Sequence, residues 1–549
     1  MDEKKVNGNG RPIAENSEGG LPGTKTTREE TTPLTGVKNG GTLTDEDGLT
    51  TKLVRLPSRR ITLRLIMATF SAVMGSLQFG YNTGVINAPK QVIKQFLNES
   101  AISRGQEMFD EDGLTLYWSI IVSIFAIGGM IGGLLGGWWA DFFGRKNGFL
   151  LNCVIGLGAG ILMLTSRYAD SYEMIIIGRL LIGINCGLYT GLTPIYLSEI
   201  AQANIRGALG TLNQLGVTVG ILGSQIVGFP EVLGSESGWH ILLGLAIIPC
   251  AVQVLTMPFC PDSPRYLLIT KRREEAATKA LRALRGEADV TADLDEIKNE
   301  DKAQHQEAKV SIVGLFKASN LRWPLLISIV MHLSQQFSGI VAVFYYSVGL
   351  FESAGLSSST ASYATSGVGA VMVVMTFITI PLMDRVGRRT LHLSGLASMF
   401  IFSLLITITL ALRHKVAWFN IASIVMSLLY VASFALGPGS IPWLIVAELF
   451  SQGPRTAAIS VSVLVNWVAN FAVGFLYQYM QLGLGDYSFL PFTGLLFLFV
   501  AFLYKTLPET MNKSFEEISS SFKSGNKNVQ NGKTTNDVDF VAKYTPTQP

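Results

Sequence analysis

Long apolar stretches alternate with short polar connections from about residue 61 onward. A membrane-spanning helix needs roughly 20 predominantly apolar residues, and the pattern predicts twelve such helices. They cover about 63–86, 116–140, 149–166, 171–192, 208–229, 239–259, 322–350, 358–383, 391–412, 418–446, 456–480 and 487–507. The chain is therefore predicted to be an all-α membrane protein that crosses the bilayer twelve times.

Basic residues are concentrated in the short connections on one side of these spans. They are Arg59, Arg60, Arg145, Lys146, Arg206, Arg385, Arg388, Arg389 and Arg455. An even number of spans places both chain ends on this side, and the positive-inside rule assigns it to the cytosol. The segment Arg413-His414-Lys415 is predicted to lie outside, against this rule.

Polar segments divide the chain into five predicted parts. Residues 1–60 are rich in Gly, Thr, Glu, Lys and Asn and have almost no aromatic content, which predicts a disordered tail. Residues 261–320 are charged, with helical patterns over 273–284 and 293–308, and predict a cytosolic helical linker. This linker separates a first six-helix half, 61–260, from a second, 321–510, and a polar tail follows at 511–549.

Three short motifs recur in the same order in both halves. DFFGRK at 141–146 matches DRVGRR at 384–389, Pro194…Glu199…Arg206 matches Pro442…Glu448…Arg455, and PDS at 261–263 matches PET at 508–510. The offset is 243 residues for the first motif, 249 for the Glu and Arg of the second, and 247 for the third. A nearly constant offset predicts two pseudo-symmetric halves, with a substrate site between them near the middle of the membrane.

The repeated motifs place acids and bases at predicted cytosolic helix ends. One interpretation is that they only signal topology. The other, which the duplication favours, is that ion pairs between helix ends hold the cytosolic side shut while the cavity faces outward, and separate when it opens inward.

The seventh span carries two adjacent amides that cannot face lipid. In a continuous helix, His332, Gln335, Gln336, Gly339 and Tyr346 fall on one side. Similar stripes are Ser71, Gly75, Gln78 and Asn82 in span one, Thr211, Gln214, Thr218 and Gln225 in span five, and Ser462, Asn466 and Asn470 in span eleven. A single intramembrane amide commonly joins helices, but four stripes together predict a cavity lining.

Composition narrows the class of substrate. Charged residues make up 15% of the 549, and the net charge of +3 is too small and dispersed to indicate nucleic acid. The interiors of spans one, two, five, seven, eight, ten and eleven contain no Asp, Glu, Lys or Arg, the residues that usually couple transport to protons or sodium. Side-chain amides both donate and accept hydrogen bonds, which favours a neutral substrate rich in hydroxyls.

Trp443 follows the flexible segment Gly437-Pro438-Gly439. Its ring is either a flat apolar surface that covers a sugar ring or an aromatic anchor at the membrane interface.

The remaining chemistry is sparse. The four cysteines, Cys153, Cys186, Cys250 and Cys260, lie in or beside apolar segments without paired spacing. We interpret them as packing thiols, and expect no metal and no cofactor. Asn98-Glu99-Ser100 is an N-glycosylation sequon in the first predicted outside loop, and an unused sequon is the alternative.

Several long motifs resemble the facilitative hexose (glucose) transporters of the sugar-porter branch of the major facilitator superfamily. They include GSLQFGYNTGVINAP (75–89), GRLLIGINCGL (178–188), RGALGTLNQLG (206–216), PDSPRYLL (261–268), QQFSGIVAVFYYS (335–347), DRVGRRTLHL (384–393) and GPGSIPWLIVAELFSQGPR (437–455). The resemblance runs from about Ile61 to Ile518. It implies a plasma-membrane uniporter that is not an enzyme and moves hexoses, glucose first, down their gradient by alternating access.

The resemblance also implies residue roles. Sugar contacts would fall on Gln214, Gln335, Gln336, Trp443 and Asn466, with Phe434 and Trp467 nearby. The cytosolic ion-pair network would use Arg145, Glu199, Arg206, Asp262, Asp384, Arg388, Glu448, Arg455 and Glu509. Asn82 stands where proton-coupled relatives carry an aspartate.

Four positions depart from the family pattern. His332 replaces the glutamine of a QLS triplet associated with glucose over fructose, Val341 replaces an asparagine, Met372 another asparagine, and Ala435 an acid. Each lost amide partner removes about 0.5–1.5 kcal/mol of hydrogen bonding, so fructose or broad hexose transport stays open. A proton-coupled sugar symporter and a transporter-like nutrient sensor are the alternative functions.

Overall fold

The computed structural model describes residues 61–202, 205–306, 310–413, 415, 418–511, 513 and 517–518. Every regular element within these ranges is helical, and the predicted all-α fold is confirmed. The predicted tail at 1–60 and nearly all of the tail at 511–549 lie outside the described residues. The division of the chain at residues 260, 320 and 510 stays a prediction.

The first half contains eight helical segments. They are α1 (Leu63–Gly84), α2 (Lys90–Ser103), α3 (Glu111–Phe143), α4 (Arg145–Thr165), α5 (Tyr172–Ile200), α6 (Arg206–Val227), α7 (Trp239–Gly244) and α8 (Ile247–Thr256). Helix α2 is short and forms no predicted span, while α7 and α8 together make the sixth span.

The linker and the second half follow the same alternation of helices and short connections. The linker contains α9 (Glu274–Arg285), α10 (Thr291–Gln306) and α11 (Ile312–Lys317). The second half contains α12 (Ser319–Gln336), α13 (Ile340–Ser353), α14 (Ser358–Val386), α15 (Arg388–Leu412), α16 (Trp418–Leu436), α17 (Ile441–Leu449), α18 (Gln452–Leu484) and α19 (Leu490–Thr506).

Ten helical stretches of the described residues are long and apolar enough to cross a membrane. The other two predicted spans are also helical. Helix α6 carries the polar stripe of span five, and α19 is apolar but has 17 residues. All twelve predicted spans therefore correspond to helical stretches of the described residues.

The helix bundle has two ends, which we call the linker side, where α9 lies, and the far side. At the linker side, Thr62 caps α1 by accepting from Leu65 N at 3.1 Å and donates to Leu284 O of α9 at 2.9 Å. Helices α1, α6, α12 and α18 therefore begin at the linker side, and α2 lies at the opposite end, the far side.

The repeated DFFGRK and DRVGRR motifs fold alike. Gly144 has φ +85° and Gly387 has φ +95°, a conformation that costs other residues a steric penalty, and each ends one long helix and starts the next. Arg145 Nη1 donates to Ala140 O at 3.1 Å, and Arg388 Nη1 donates to Met383 O at the same distance. The sequence repeat is therefore also a repeat of local geometry.

The halves meet along α3 and α18 and along α6 and α14. A Cβ at Gly129 of α3 would lie 2.5 Å from the Trp467 ring of α18, so the glycine permits this close packing. On the far side, Gln225 Oε1 of α6 accepts from Gly369 N of α14 at 3.1 Å. One polar residue of the span-five stripe thus joins the two halves directly.

The prediction of one continuous helix for span seven is wrong. Helix α12 ends at Gln336 and α13 begins at Ile340, because Gly339 adopts φ +95° and breaks the regular hydrogen-bonding pattern. The predicted single face is therefore divided between two helices. Span ten is also interrupted, between α16 and α17, at Gly437-Pro438-Gly439.

The basic segment that opposed the positive-inside rule has a local acidic partner. Arg413, at the far-side end of α15, forms an ion pair with Asp486 at 3.0 Å. Lys415 is exposed, and His414 lies outside the described residues. Pairing reduces the net positive charge that this end of the bundle presents.

Candidate functional site

The two broken spans meet at Gln335. Its Nε2 donates to Pro438 O at 2.7 Å and to Gly439 O at 2.8 Å, the carbonyls that the break in span ten leaves without helical partners. Unwound backbone inside a membrane protein must find partners in the protein or in water. Gln335 therefore supports the break while its Oε1 stays available to a third group, Asn466 Nδ2, at 2.6 Å.

A connected set of amides extends from Gln335 along α18. Gln336 Nε2 donates to Asn466 Oδ1 at 2.8 Å, and Asn470 Nδ2 donates to Gln336 Oε1 at 3.3 Å. Tyr345 OH of α13 donates to Asn470 Oδ1 at 3.2 Å. We call the five residues Gln335, Gln336, Tyr345, Asn466 and Asn470 the amide network. Four of them come from the predicted stripes of spans seven and eleven, and Tyr345 was not among the predicted residues.

The amide network can exchange partners with a ligand. Each amide both donates and accepts, so a hydroxyl of a neutral molecule can replace any amide–amide bond at little net cost. The network lies where α12, α13 and α18 meet, and α18 packs against α3 of the first half. This is the kind of location, at broken helices between two repeats, where carriers bind small substrates.

The other predicted sugar contacts are distributed around this network. Gln214 is half-buried on α6. Phe434 is buried on α16 and lies edge-to-face with Phe344 of α13, with ring centroids 6.1 Å apart. Trp443 is 36% exposed, and its ring lies edge-to-face with His332 at 5.1 Å. Trp443 therefore keeps an accessible aromatic surface, which fits both a sugar contact and an interfacial anchor.

Trp467 has a different environment from Trp443. It is 3% exposed and packs with Phe79 of α1 and Phe125 of α3, each at 5.8 Å between ring centroids. Gly133 of α3 also lies next to its indole. In this structure the Trp467 ring lies between α18 of the second half and helices α1 and α3 of the first. It would contact a substrate only after the two halves move apart at this seam.

The four positions that depart from the family pattern are all buried. Val341 lies in the first turn of α13, Met372 on α14, and Ala435 on α16, where its carbonyl accepts from Thr379 Oγ1 at 3.1 Å. His332 is 1% exposed, and one ring nitrogen, Nδ1, contacts Ser328 O at 3.0 Å. His332, Val341 and Ala435 thus belong to the two broken spans, and Met372 belongs to span eight.

The expectation that the span-one stripe lines the cavity is wrong. Gln78 Nε2 donates to Ala246 O at 2.9 Å, Asn82 Nδ2 donates to Gln78 O of its own helix at 2.9 Å, and Ser71 Oγ accepts from Thr256 Oγ1 at 2.9 Å. Gly75 packs on Tyr189. These contacts hold α1 against other helices of the first half, the commoner role of intramembrane polar groups.

Sequence reasoning missed one buried cation. Arg179 of α5 is completely buried, and it donates from Nη1 to Asn82 O at 3.0 Å and from Nε to Ile121 O at 3.3 Å. Its guanidinium also lies 4.6 Å from the centre of the Phe125 ring. No carboxylate pairs with Arg179 among the described residues. The sequence did contain a signal for this buried cation, because Arg179 is the one Lys or Arg within the predicted apolar span 171–192.

The linker-side charges of the first half form a compact set. Arg145 makes a two-pronged bond to Glu199, 2.8 Å from Nε and 2.7 Å from Nη2, and a third contact to Asp141 at 3.2 Å. Asp262 Oδ1 accepts from Lys146 N, the first turn of α4, at 3.2 Å. A carboxylate in that position is stabilised by the free amides and the positive end of the helix.

The second half repeats these contacts. Arg388 forms an ion pair with Glu448 at 3.4 Å, and Glu509 accepts from Arg388 N at 2.9 Å and Arg389 N at 3.1 Å, the start of α15. Glu448 also accepts from Thr510 Oγ1 at 2.5 Å. Asp262 and Glu509 thus act at equivalent helix starts, a role that sequence spacing alone did not distinguish from ion pairing.

The remaining predicted charges have other contacts. Arg455 donates from Nε and Nη2 to Phe450 O, at 3.1 and 3.0 Å. Arg206 is half-buried at the start of α6, in a polar pocket that it shares with Glu199 and Arg265. Asp384 lies in α14, and its side chain is outside the described part of the structure. The described ion pairs of Arg145 and Arg388 each lie within one half.

A model of the family described as "Sugar (and other) transporter" matches residues 68–522. The chain belongs to the sugar transporter family. Relatives within this family cover most of the chain, and five of them, from dog, mouse, sheep, cattle and human, are named facilitated glucose transporter member 3 of solute carrier family 2. The mouse protein is 48% identical over 463 residues, which is 84% of this chain and 94% of the relative. The dog and human proteins are each 46% identical over 465 residues, 85% of this chain and 94% and 93% of their own lengths.

Solved structures of sugar transporters have the same fold. The xylose transporter XylE from E. coli, in a partially occluded inward open conformation, superposes with a TM-score of 0.70 at 24% identity, covering 82% of this chain and all of the other. The proton:xylose symporter XylE bound to 6-bromo-6-deoxy-D-glucose gives 0.68 at 24% identity, with 83% and 99% coverage. The family resemblance inferred from the motifs is confirmed.

Proposed function

We propose that this sugar transporter family member is a facilitative hexose uniporter, with glucose as its first substrate. The observation that carries the proposal is the amide network, in which Gln335, Gln336 and Asn466 join two broken spans beside the seam between the halves. Its interchangeable donors and acceptors suit a neutral polyhydroxylated ring, and the accessible face of Trp443 suits the apolar side of such a ring. The names of the mouse, dog and human relatives support glucose.

We infer that the linker side faces the cytosol and that the protein is a multi-pass plasma-membrane carrier with both termini cytosolic. The basic residues at the linker-side helix ends support this orientation by the positive-inside rule. Asn98 would then be extracellular, where its sequon could carry a glycan. Its Oδ1 accepts from Phe109 N at 3.0 Å, and the residue is half-buried on α2.

The arrangement corresponds to an inward-facing state under this orientation. Contacts between the halves on the far side, such as Gln225 with Gly369, support an outer entrance that is closed. Arg145 and Arg388 pair within their own halves. We propose that in the outward-facing state these guanidiniums, with Arg206 and Arg455, exchange some partners across the seam and close the cytosolic side.

Uniport is favoured over proton coupling by the surroundings of Arg179. A buried guanidinium close to a carboxylate would form an ion pair whose protonation could drive a conformational change. The residue at the helical position nearest to Arg179 on α1 is Asn82, an amide that cannot titrate, and it offers Arg179 its backbone carbonyl. No cofactor or chemical step enters this mechanism, so the protein is proposed to act as a carrier and not as an enzyme.

Uptake of labelled glucose into proteoliposomes tests the proposal. The expected result is equilibration of glucose inside and outside, to a final level that an inward proton gradient does not change. Accumulation above the outside concentration when the gradient is applied would replace uniport by proton symport. A failure of glucose to enter faster than the mirror-image sugar L-glucose would contradict the transport assignment itself.

A further inference from the structure

Asn87, just beyond the first span, joins the halves on the far side. Its Nδ2 donates to Ser347 Oγ at 2.6 Å and to Phe344 O at 3.2 Å, and its Oδ1 accepts from Val348 N at 3.2 Å. All three partners belong to α13, and Asn87 is 2% exposed. The nitrogen and the oxygen of the Asn87 side-chain amide are thus both hydrogen-bonded to α13, the second helix of the broken span seven.

Lys90, three residues later, contacts the second half at two further points. Its Nζ donates to Gln478 Oε1 of α18 at 3.0 Å. The same ammonium lies 5.5 Å from the centre of the Tyr346 ring on α13, within the range of a cation–π interaction. Lys90 is the first residue of α2, so a short segment from the first half is held between two helices of the second.

We propose that Asn87 latches the far-side entrance of the carrier shut, and that the buried amine of Lys90, in the same segment, makes this closure sensitive to pH. The inference rests on the proposed function, since a latch requires a carrier whose halves separate on the far side. The latch would close the far side, whereas the linker-side ion pairs close the opposite end of the bundle. Separation of α13 and α18 from α2 would break every contact named above.

The groups that face Lys90 do not neutralise it. They are Lys94 on α2, Tyr346 and Glu352 on α13, and Gln478 on α18. Burial lowers the pKa of Lys90 to about 8, the positive charge of Lys94 lowers it as well, and Glu352 opposes the shift in part. No ion pair joins Lys90 to Glu352 among the described residues. The charged ammonium therefore opposes the closed arrangement.

The direction of the pH effect follows from the difference between the two states. When the far side opens, Lys90 becomes hydrated and its pKa returns toward the ordinary value of about 10.4. The open state then binds the proton more tightly, so acid favours opening and alkali favours closure. Between pH 7 and pH 9 the closed-to-open ratio should rise about tenfold, with little change below pH 7.

A distance measurement in the full-length protein tests the latch. Cysteines introduced by Gln95→Cys on α2 and Leu482→Cys on α18 carry pH-insensitive fluorescent dyes. Both positions are exposed, and the four native cysteines are buried. Single-molecule energy transfer in nanodiscs without sugar then counts closed and open molecules. The expected result is the tenfold rise in the closed-to-open ratio from pH 7 to pH 9.

Two substitutions identify the group responsible. Lys90→Met, which keeps the length of the side chain and removes its charge, should be more closed than the native protein at pH 7 and lose the pH response. Lys94→Met, one turn away, should keep it. The proposal would be overturned if the closed-to-open ratio of the native protein did not change with pH. It would also be overturned if the rise in this ratio from pH 7 to pH 9 persisted in both Lys90→Met and Lys90→Gln. No sugar is present, so this outcome is independent of the uptake test of the proposed function.

Discussion

The side chain of Gln335 does two tasks at once. It satisfies the free carbonyls of Pro438 and Gly439, and it holds Asn466 through the opposite end of the same amide. The sequence predicted that two glutamines in an apolar stretch must face protein, because hydrocarbon offers no hydrogen bonds. It could not predict which carbonyls they meet, since those lie 103 and 104 residues away along the chain.

Val341 and His332 are expected to influence sugar preference. Both are buried in span seven, on either side of its break and close in sequence to Gln335 and Gln336. Val341→Asn adds a donor and an acceptor, and a hydrogen bond of about 0.5–1.5 kcal/mol corresponds to a roughly 2- to 10-fold change in affinity. We expect Val341→Asn and His332→Gln each to raise the glucose-to-fructose uptake ratio within that range.

The control for this prediction is Val341→Leu, which changes volume without adding a hydrogen-bonding group. Initial uptake rates of both sugars in proteoliposomes give the ratio for each variant. If neither polar substitution moves the ratio relative to Val341→Leu, selectivity is not determined by these positions in span seven.

Among helices, the broken span seven differs most from its prediction. Periodicity identified the apolar segment and its polar residues, but it averages over the sequence and does not locate a three-residue interruption. The decisive feature is the left-handed backbone of Gly339. The first-span stripe was misassigned for a related reason, because a polar side chain suits a cavity or a neighbouring carbonyl equally well until the packing is known.

Gly339→Ala should destabilise the break directly. A side chain in the left-handed conformation costs about 1–2 kcal/mol, and the new Cβ would lie 2.7 Å from the Phe492 ring. We expect a lower thermal unfolding midpoint in detergent and slower glucose uptake. The melting curve followed by tryptophan fluorescence measures the first effect.

Gly483→Ala is the matched control for that substitution. Gly483 lies near the end of α18, and no heavy atom lies within 4 Å of the position of its Cβ. Because alanine favours a helix over glycine by up to about 1 kcal/mol, its midpoint should stay level or rise. An equal loss of stability in both variants would show that the conformation of Gly339 has no special importance.

At the scale of the whole molecule, the two halves repeat one device at the linker side. In each half, a positive-φ glycine is followed by an arginine that begins a helix and pairs with a glutamate. An acid from the end of the same half accepts hydrogen bonds from the first backbone amides of that helix. The repeat in sequence was sufficient to predict the symmetry and the residue types. It could not separate the capping acids, Asp262 and Glu509, from the pairing acids, because all lie at helix ends.

The start of the linker breaks this symmetry, because α9 docks on the first half. Arg285 at the end of α9 is 7% exposed, and it donates to Ile200 O at the end of α5 at 2.9 Å and to Asp293 of α10 at 3.0 Å. Thr62 adds a bond from α1 to Leu284. We therefore expect α9 and α10 to move with the first half when the carrier changes state.

Arg285→Ala should release the linker from that half. A hydrogen bond to a charged group contributes about 1.5–3 kcal/mol, and the substitution also leaves the carbonyl of Ile200 without this donor. Hydrogen–deuterium exchange should become faster across α9 and α10 while the spans stay protected. The control is Lys298→Ala, which removes an ion pair to Glu274 whose side chains are 42% and 57% exposed, and such pairs contribute about 1 kcal/mol or less. If α9 and α10 exchange equally in both variants, the Arg285 contacts do not hold the linker, and its movement with the first half would need another cause.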